Sequence, residues 1–210
     1  MINLFIQKNI LRCFFIIIII FLEGCTLNKN MYRDPNITTM HWHQHQQNVQ
    51  KIMQYHITGK LAYLTNNKKL YAHFTWEQSS ANHYSLIITN LLGGTELQVD
   101  VQNNIVHIID NKGKRYISND IEKIIFQLTG MNIPVTNLRQ WIIGLPGNAI
   151  FYELNRHYHL KNLLYIHNKE KWYVYIKNYD NRIKPSMPIS LELNKDNQRI
   201  KIVINKWKVK

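Results

Sequence analysis

Along most of the chain, hydrophobic and polar residues alternate with a period of two. Leu70, Ala72, Phe74 and Trp76 alternate with Tyr71, His73, Thr75 and Glu77. Tyr84, Leu86 and Ile88 alternate with Ser85, Ile87 and Thr89, and Thr95, Leu97, Val99 and Val101 with Glu96, Gln98 and Asp100. This alternation turns one side of each segment to a core and the other to water, the pattern of a half-buried β-strand. Asn66-Asn67, Asn103-Asn104 and Asn111-Lys112-Gly113 separate the segments. Asn and Gly are turn formers, and links this short make antiparallel hairpins and exclude βαβ crossovers. Further strands are predicted at 151–154, 160–167, 172–179, 189–193 and 199–204.

Three stretches change to helical spacing. From about Met40 to Gln54, Trp42, His45, Val49, Ile52 and Met53 recur at steps of three and four, with Thr38 or Thr39 as cap. Ser118 to Asp120 can cap a helix carrying Ile121, Ile124, Ile125 and Leu128, which ends at Gly130. A shorter helix carries Leu138, Trp141 and Ile142 and stops at Gly144-Leu145-Pro146-Gly147. The fold class is mainly β with helices: about eleven strands in one antiparallel sheet, and about three helices. A sheet of that many strands curls, and helices must cover its open apolar face. One domain is expected over residues 39–210.

The N-terminus reads differently. Lys8 and Arg12 flank an unbroken apolar run, Cys13 to Leu22. Ten such residues are too few for a bilayer core of ~30 Å, which needs ~20. Residues 1–24 therefore read as a secretory signal peptide, with an uncleaved amphipathic anchor as the alternative. Leu22-Glu23-Gly24-Cys25 resembles the lipobox of bacterial lipoproteins, Glu23 being a departure from that pattern. The resemblance implies that Cys25 is acylated and becomes the mature N-terminus. Thr26 stands where an Asp resembles an inner-membrane retention signal, which points to the outer membrane. Residues 25–38 are expected to be a flexible tether. With Cys13 removed and Cys25 lipidated, no thiol remains for a disulfide, a metal or nucleophilic chemistry.

The chain has 210 residues and a formal charge of +13, from 26 Lys+Arg against 13 Asp+Glu. Such basicity invites a nucleic-acid or anionic-membrane partner. It also follows from drift toward the A/T-rich codons of Lys, Asn and Ile. The leader argues against nucleic acid. No Gly-x-Ser-x-Gly, phosphate-binding Gly loop or CxxC is present after the leader, and the acidic residues are scattered, so no enzymatic site is expected. His41, His43 and His45 form a metal candidate, since His41 and His45 share a helix face, and His157 and His159 form a second on one strand face. No third ligand with suitable spacing accompanies them, so the solvated reading is preferred and no metal or other cofactor is expected beyond the lipid on Cys25.

Two apolar features remain. The five tryptophans, Trp42, Trp76, Trp141, Trp172 and Trp207, suit either an ordinary core or a lined cavity. In Thr89-Asn90-Leu91-Leu92-Gly93-Gly94, two leucines stand where a turn is normally polar. They are either tucked under or exposed for a membrane or partner.

Seven motifs occur in order: Trp42-x-x-His45-Gln46-Gln47, Tyr71-Ala72-x-Phe74-x-Trp76, Thr89-Asn90-Leu91-Leu92-Gly93-x-Thr95-Glu96-Leu97, Asp110-Asn111-Lys112-Gly113-x-Arg115-Tyr116, Leu128-Thr129-Gly130-Met131-x-Ile133-Pro134, Leu138-Arg139-Gln140-Trp141-Ile142-x-Gly144-Leu145-Pro146-Gly147, and Trp207-x-Val209-Lys210. With the lipobox they resemble the LolB family of outer-membrane lipoprotein receptors. The resemblance implies an open, incomplete β-barrel with a helical lid and an apolar interior. It implies a monomer, facing the periplasm from the inner leaflet of the outer membrane. Such a receptor accepts acylated lipoprotein cargo from the periplasmic carrier LolA and inserts it among outer-membrane phospholipids, without nucleotide hydrolysis. By the same resemblance Leu91 and Leu92 form the release loop, and Phe74, Trp76, Leu86, Ile88, Trp141 and Trp172 line the cavity. Leu91 replaces a proline usual in the family. The other reading is a structural or assembly lipoprotein whose apolar interior is plain core.

Overall fold

The computed structural model describes residues 35–167 and 169–210. Helix α1 (Pro35–Gln50) leads into strands β1 (Tyr55–Leu64), β2 (Lys69–Ser80), β3 (His83–Thr89), β4 (Thr95–Gln102), β5 (Ile105–Asp110) and β6 (Arg115–Ser118). Helices α2 (Ile121–Thr129) and α3 (Val135–Ile142) follow. Strands β7 (Phe151–Leu154), β8 (Leu160–His167), β9 (Glu170–Asp180), β10 (Met187–Lys195) and β11 (Gln198–Val209) complete the chain.

All eleven strands form one antiparallel sheet in the order β6-β5-β4-β3-β2-β1-β11-β10-β9-β8-β7. Strands β6 and β7 are its two free edges, so the barrel is open, as expected. Both edges are only four residues long, which limits the unpaired backbone offered to another chain. Hairpin chemistry follows the turn residues. Asn103 and Asn104 both take positive φ in the two-residue link between Gln102 and Ile105, which pair. Asn accepts that conformation more readily than other residues with a Cβ, and the resulting twist matches the strands.

Alternation puts Leu97, Val99 and Val101 of β4, and Ile200, Ile202 and Ile204 of β11, in the core. Burial of each aliphatic side chain contributes roughly 1.5–3 kcal/mol. Helices α2 and α3 lie over this apolar face. Asp120 caps α2 by accepting from Lys123 N, and Gly130 ends it with φ 69°. Ile121 and Ile125 of α2 and Val135, Leu138, Trp141 and Ile142 of α3 are buried.

Helix α1 ends at Gln50 rather than near Gln54, β9 and β10 each extend one or two residues beyond the expected ranges, and two boundaries differ more consequentially from the sequence reading. Helix α1 starts at Pro35, so Thr38 and Thr39 lie inside it and residues 35–38 are helical rather than tether. Proline suits a first helical position because its missing N–H would have no partner there. The remainder of the expected tether, the leader and Cys25 lie outside the described residues. Strand β11 runs on to Val209 rather than stopping near Ile204, because a bulge opposite Thr58 and Gly59 inserts Asn205 as an extra residue. The bulge reverses the alternation, so Trp207 and Val209 follow Ile204 on the packed side.

Candidate functional site

The link between β3 and β4 carries the two leucines. Asn90 Oδ1 accepts from the backbone N–H of Leu92 (3.0 Å) and of Gly94 (2.9 Å). Asn90 N donates to Gly94 O, and Gly93 N to Asn90 O. Gly93 sits at φ 90°, a value that a side chain disfavours. The turn holds both leucines outward: Leu91 is 62% and Leu92 98% exposed. Of the two readings open in the sequence, exposure is the one observed. The loop is also braced sideways: Asn90 Nδ2 donates to Glu96 Oε1 (2.8 Å), and Asn111 Nδ2 of the β5–β6 turn donates to Glu96 Oε2 (3.2 Å). That turn is held in its own way. Asp110 Oδ1 accepts from Lys112 N and Lys114 N, and Oδ2 from Tyr116 Oη. These hydrogen bonds to the ionised form hold the Asp110 carboxyl below its usual range against the opposing effect of desolvation.

Beside this loop opens a cleft of about 660 Å³. Lys68, Lys112, Lys114 and Tyr116 stand at it, with Ile88, Leu97, Leu128 and Met131 deeper. Under the helices lies a separate, wholly apolar cavity of about 40 Å³. Leu61, Phe74, Trp76, Leu86, Ile88 and Ile202 line it from the sheet, and Ile125, Ile133, Val135, Leu138 and Ile142 from the helical side. Four of the six expected lining residues are therefore in place. Trp141 and Trp172 are buried but do not line it. Trp141 packs edge-on against Tyr165 and donates to Pro146 O; Trp172 lies beneath the Lys195 ammonium. A void of this size is far below the ~300–1,000 Å³ of a typical small-molecule pocket. The space as it stands is small, and α2 and α3 cover much of it.

Polar contacts fasten those helices at both ends. Lys68 Nζ donates to Thr129 O (2.7 Å) at the end of α2. Arg139 Nη2 of α3 donates to Gln78 Oε1 (3.1 Å) and Ala81 O (2.8 Å), and its guanidinium lies 4.1 Å from the centre of the Tyr84 ring. Between the helices, Gln198 Nε2 donates to Asn132 O, and Asn132 Nδ2 faces Glu170, which also holds Lys195 Nζ at 2.7 Å.

The histidines depart from the sequence reading. His157 and His159 lie in the β7–β8 turn rather than on a strand face, their backbone N–H groups donating to Asn155 Oδ1. Helix α1 packs on that turn, with the His45 and His159 rings 4.5 Å apart and His41 stacked on Tyr158 at 4.8 Å. Trp42 Nε1 donates to Tyr152 Oη (3.1 Å). These contacts replace the expected solvated turn. Burial lowers the affinity of both facing imidazoles for protons, and the charges of His45, His157 and Lys184 lower His159 further, to about 4. Among the described residues, no group of three or more His, Cys, Asp or Glu is placed to hold a metal ion.

Residues 53–207 match a family model described as outer membrane lipoprotein LolB. The chain belongs to the LolB family. Named LolB relatives are 46% identical in Erwinia tasmaniensis, 44% in Serratia proteamaculans and 42% in Yersinia pestis, each over 90% of this chain and 91% of theirs. Among solved structures, a LolA superfamily protein of Nitrosomonas europaea is similar in fold (TM-score 0.50, 7% identity, 80% of this chain and 93% of that one). So is a DUF1329 family protein of Desulfovibrio piger (TM-score 0.50, 8% identity, 84% and 94%). LolB membership supports an outer-membrane lipoprotein role in lipoprotein localisation. The sequence reading missed the bracing of the loop through Glu96 and Asn111. Its only signal was the polar pair Asn90 and Glu96 around an otherwise apolar turn.

Proposed function

We propose that the protein is an outer-membrane receptor, anchored through acylated Cys25. It accepts acylated lipoproteins from LolA and inserts them into the inner leaflet, unaided by nucleotide. The observation that carries this reading is Leu92, 98% exposed on a hydrogen-bonded turn beside a cleft that shares Ile88 with the helix-covered apolar cavity. An exposed leucine held rigidly outward is a cost in water and an asset at a lipid surface, where burying it recovers roughly 1.5–3 kcal/mol. Transfer between two apolar cavities is nearly neutral, so a small affinity difference sets direction; ~1.4 kcal/mol is tenfold. Final insertion recovers burial of the cargo chains, ~0.8 kcal/mol per CH₂.

The test replaces Leu92→Glu and follows cargo from loaded carrier to liposomes. Cargo uptake is expected to persist and insertion to fall at least about tenfold, since a charge at the tip reverses its preference for lipid. Insertion at the parental rate would sink the proposal. The nearly filled interior supports a second reading, a structural lipoprotein with ordinary core. Failure to take cargo from loaded carrier at all would favour it.

A further inference from the structure

The β3–β4 and β5–β6 turns meet at Glu96. Its two carboxylate oxygens accept from Asn90 Nδ2 of one turn and Asn111 Nδ2 of the other. The leucine tip and the second turn are thereby braced together, and the second turn carries Lys112 and Lys114. With Lys68 of the β1–β2 link, they stand at the cleft beside the tip. Topology places these three links at one end of the sheet, since successive links of an antiparallel meander alternate between its ends. The links at the other end of the same strands are Ala81-Asn82 and Asn103-Asn104, which carry no charge. Lysines and exposed leucines thus share one end of the β1–β6 half-sheet.

Among the described residues, none of these three lysines is ion-paired with a carboxylate. Two carboxylates stand at the cleft, but their oxygens are engaged within the turns. Glu96 is held as above, and Asp110 accepts from Lys112 N, Lys114 N and Tyr116 Oη. The Lys68 ammonium gives one hydrogen bond to Thr129 O and keeps two further N–H groups. The Lys114 ammonium lies 5.1 Å from the centre of the Tyr116 ring. An ammonium on a flexible stem is a compact point charge, suited to a phosphate oxygen.

We propose that Lys112 and Lys114, with Lys68, bind the phosphate of an anionic phospholipid in the target leaflet while Leu91 and Leu92 enter the acyl layer beside them. This rests on the reading of Leu92 as the tip that meets lipid, and it adds which headgroups the tip selects. A phospholipid surface presents phosphate next to an apolar layer, and the braced turns present lysines next to leucines. A zwitterionic headgroup offsets its phosphate with its own cation, so a net anionic lipid attracts the lysines more strongly. A leucine alone gains the same burial in any bilayer, because that gain is non-directional. The lysines therefore add a preference that the leucines cannot supply.

The experiment incorporates the full chain into vesicles of phosphatidylcholine, or of phosphatidylcholine mixed with phosphatidylglycerol. An environment-sensitive fluorescent amino acid in place of Leu91 reports the ratio of inserted to free tip. On anionic vesicles, Lys112→Gln combined with Lys114→Gln is expected to lower that ratio about 30-fold, at about fivefold per lysine. On zwitterionic vesicles the double variant is expected to match the native protein. Both substitutions keep the backbone N–H groups that Asp110 accepts from, so the turn is retained. Lys206→Gln with Lys208→Gln removes the same charge from the opposite end of β11, which pairs there with Thr58 and His56, and is expected to leave the ratio unchanged. A drop as large as that of the first pair would trace the effect to net charge and overturn the proposal. Equal insertion of the native protein into both vesicles, or an anionic preference that survives Lys112→Gln with Lys114→Gln, overturns it too and leaves the Leu92 reading standing. A tip that enters neither vesicle overturns both. Inorganic phosphate that removes the preference, at an ionic strength where chloride does not, would assign the lysines to a free anion and overturn the headgroup reading.

Discussion

Replacing Asn90→Ala removes the centre of the turn that presents Leu92. Three hydrogen bonds go: two accepted from Leu92 N and Gly94 N, and one donated to Glu96 Oε1. All lie at or near the surface, so each contributes at the low end of the usual range, ~0.5 kcal/mol. Together they amount to ~1.5 kcal/mol, which shifts the loop about tenfold away from its presented form. Nothing in the core changes, so the melting temperature should fall by no more than roughly 3–6 °C. Cargo uptake should hold, and insertion into liposomes should slow by up to about tenfold. A swap separates geometry from mere presence of the residue. Asn90→Asp alone sets two carboxylates 2.8 Å apart and should slow insertion too. Combined with Glu96→Gln, the new amide donates to the new carboxylate, which still accepts from Leu92 N and Gly94 N. The glutamine oxygen still accepts from Asn111. The double variant should recover most of the lost rate, a coupling that a double-mutant cycle reads directly. Unchanged insertion in Asn90→Ala, or no recovery in the swap, would refute the idea that a fixed turn delivers the leucine.

Gly59→Ala tests the centre of the sheet. A Cβ there would stand 2.3 Å from Val203 O and 2.7 Å from Phe74 Cε1. A backbone oxygen cannot step aside cheaply, so ~3 kcal/mol should be lost, a drop in melting temperature of roughly 6–12 °C for a domain this size. Calorimetry showing the parental melting point would contradict the packing. Stability should also fall with acid. His159 binds its proton near pH 4 when folded and near 6.5 when unfolded. Above pH 6.5 both states are neutral and nothing changes. Between 6.5 and 4 only the unfolded chain takes up the proton, so stability declines, and below 4 the loss from this site is complete. Allowing for its partial solvent access, the loss is about 1–2 kcal/mol, and His45 adds to it in the same direction. Urea titrations of His159→Phe should show a shallower acid dependence; an identical slope would exclude this residue as its source.

The eleven strands and three helices were legible because alternation and turn residues report backbone geometry locally. Strand β4 is the clearest case: Leu97, Val99 and Val101 face inward as their spacing requires. Beyond the early start of α1 at Pro35, what failed was either a phase change or a contact across the chain. The bulge at Asn205 hid the last third of β11. The pairing of His45 with His159 spans more than a hundred residues, and no local pattern encodes it. The exposed loop was recognisable as unusual, but whether its leucines turned outward depended on Asn90, whose side chain completes the turn. For the cavity, inward alternation picked out Phe74, Trp76, Leu86 and Ile88. Burial alone could not separate these from Trp141 and Trp172, which are just as hidden but packed elsewhere.

The sheet order also governs how the chain is completed. Strand β1 is the first made, and its partner across the sheet centre is β11, the last. Until Gln198–Val209 emerges, β1 keeps one edge unpaired and the hairpins on either side of the seam cannot join. The closing step joins segments about 150 residues apart along the chain, a slow search by the entropy of loop closure. A chain threaded through a membrane from its N-terminus would therefore reach the far side as two half-sheets, with an apolar seam exposed between them. Truncation of the final strand should be far more damaging than loss of an edge strand, because it removes the suture rather than the hem.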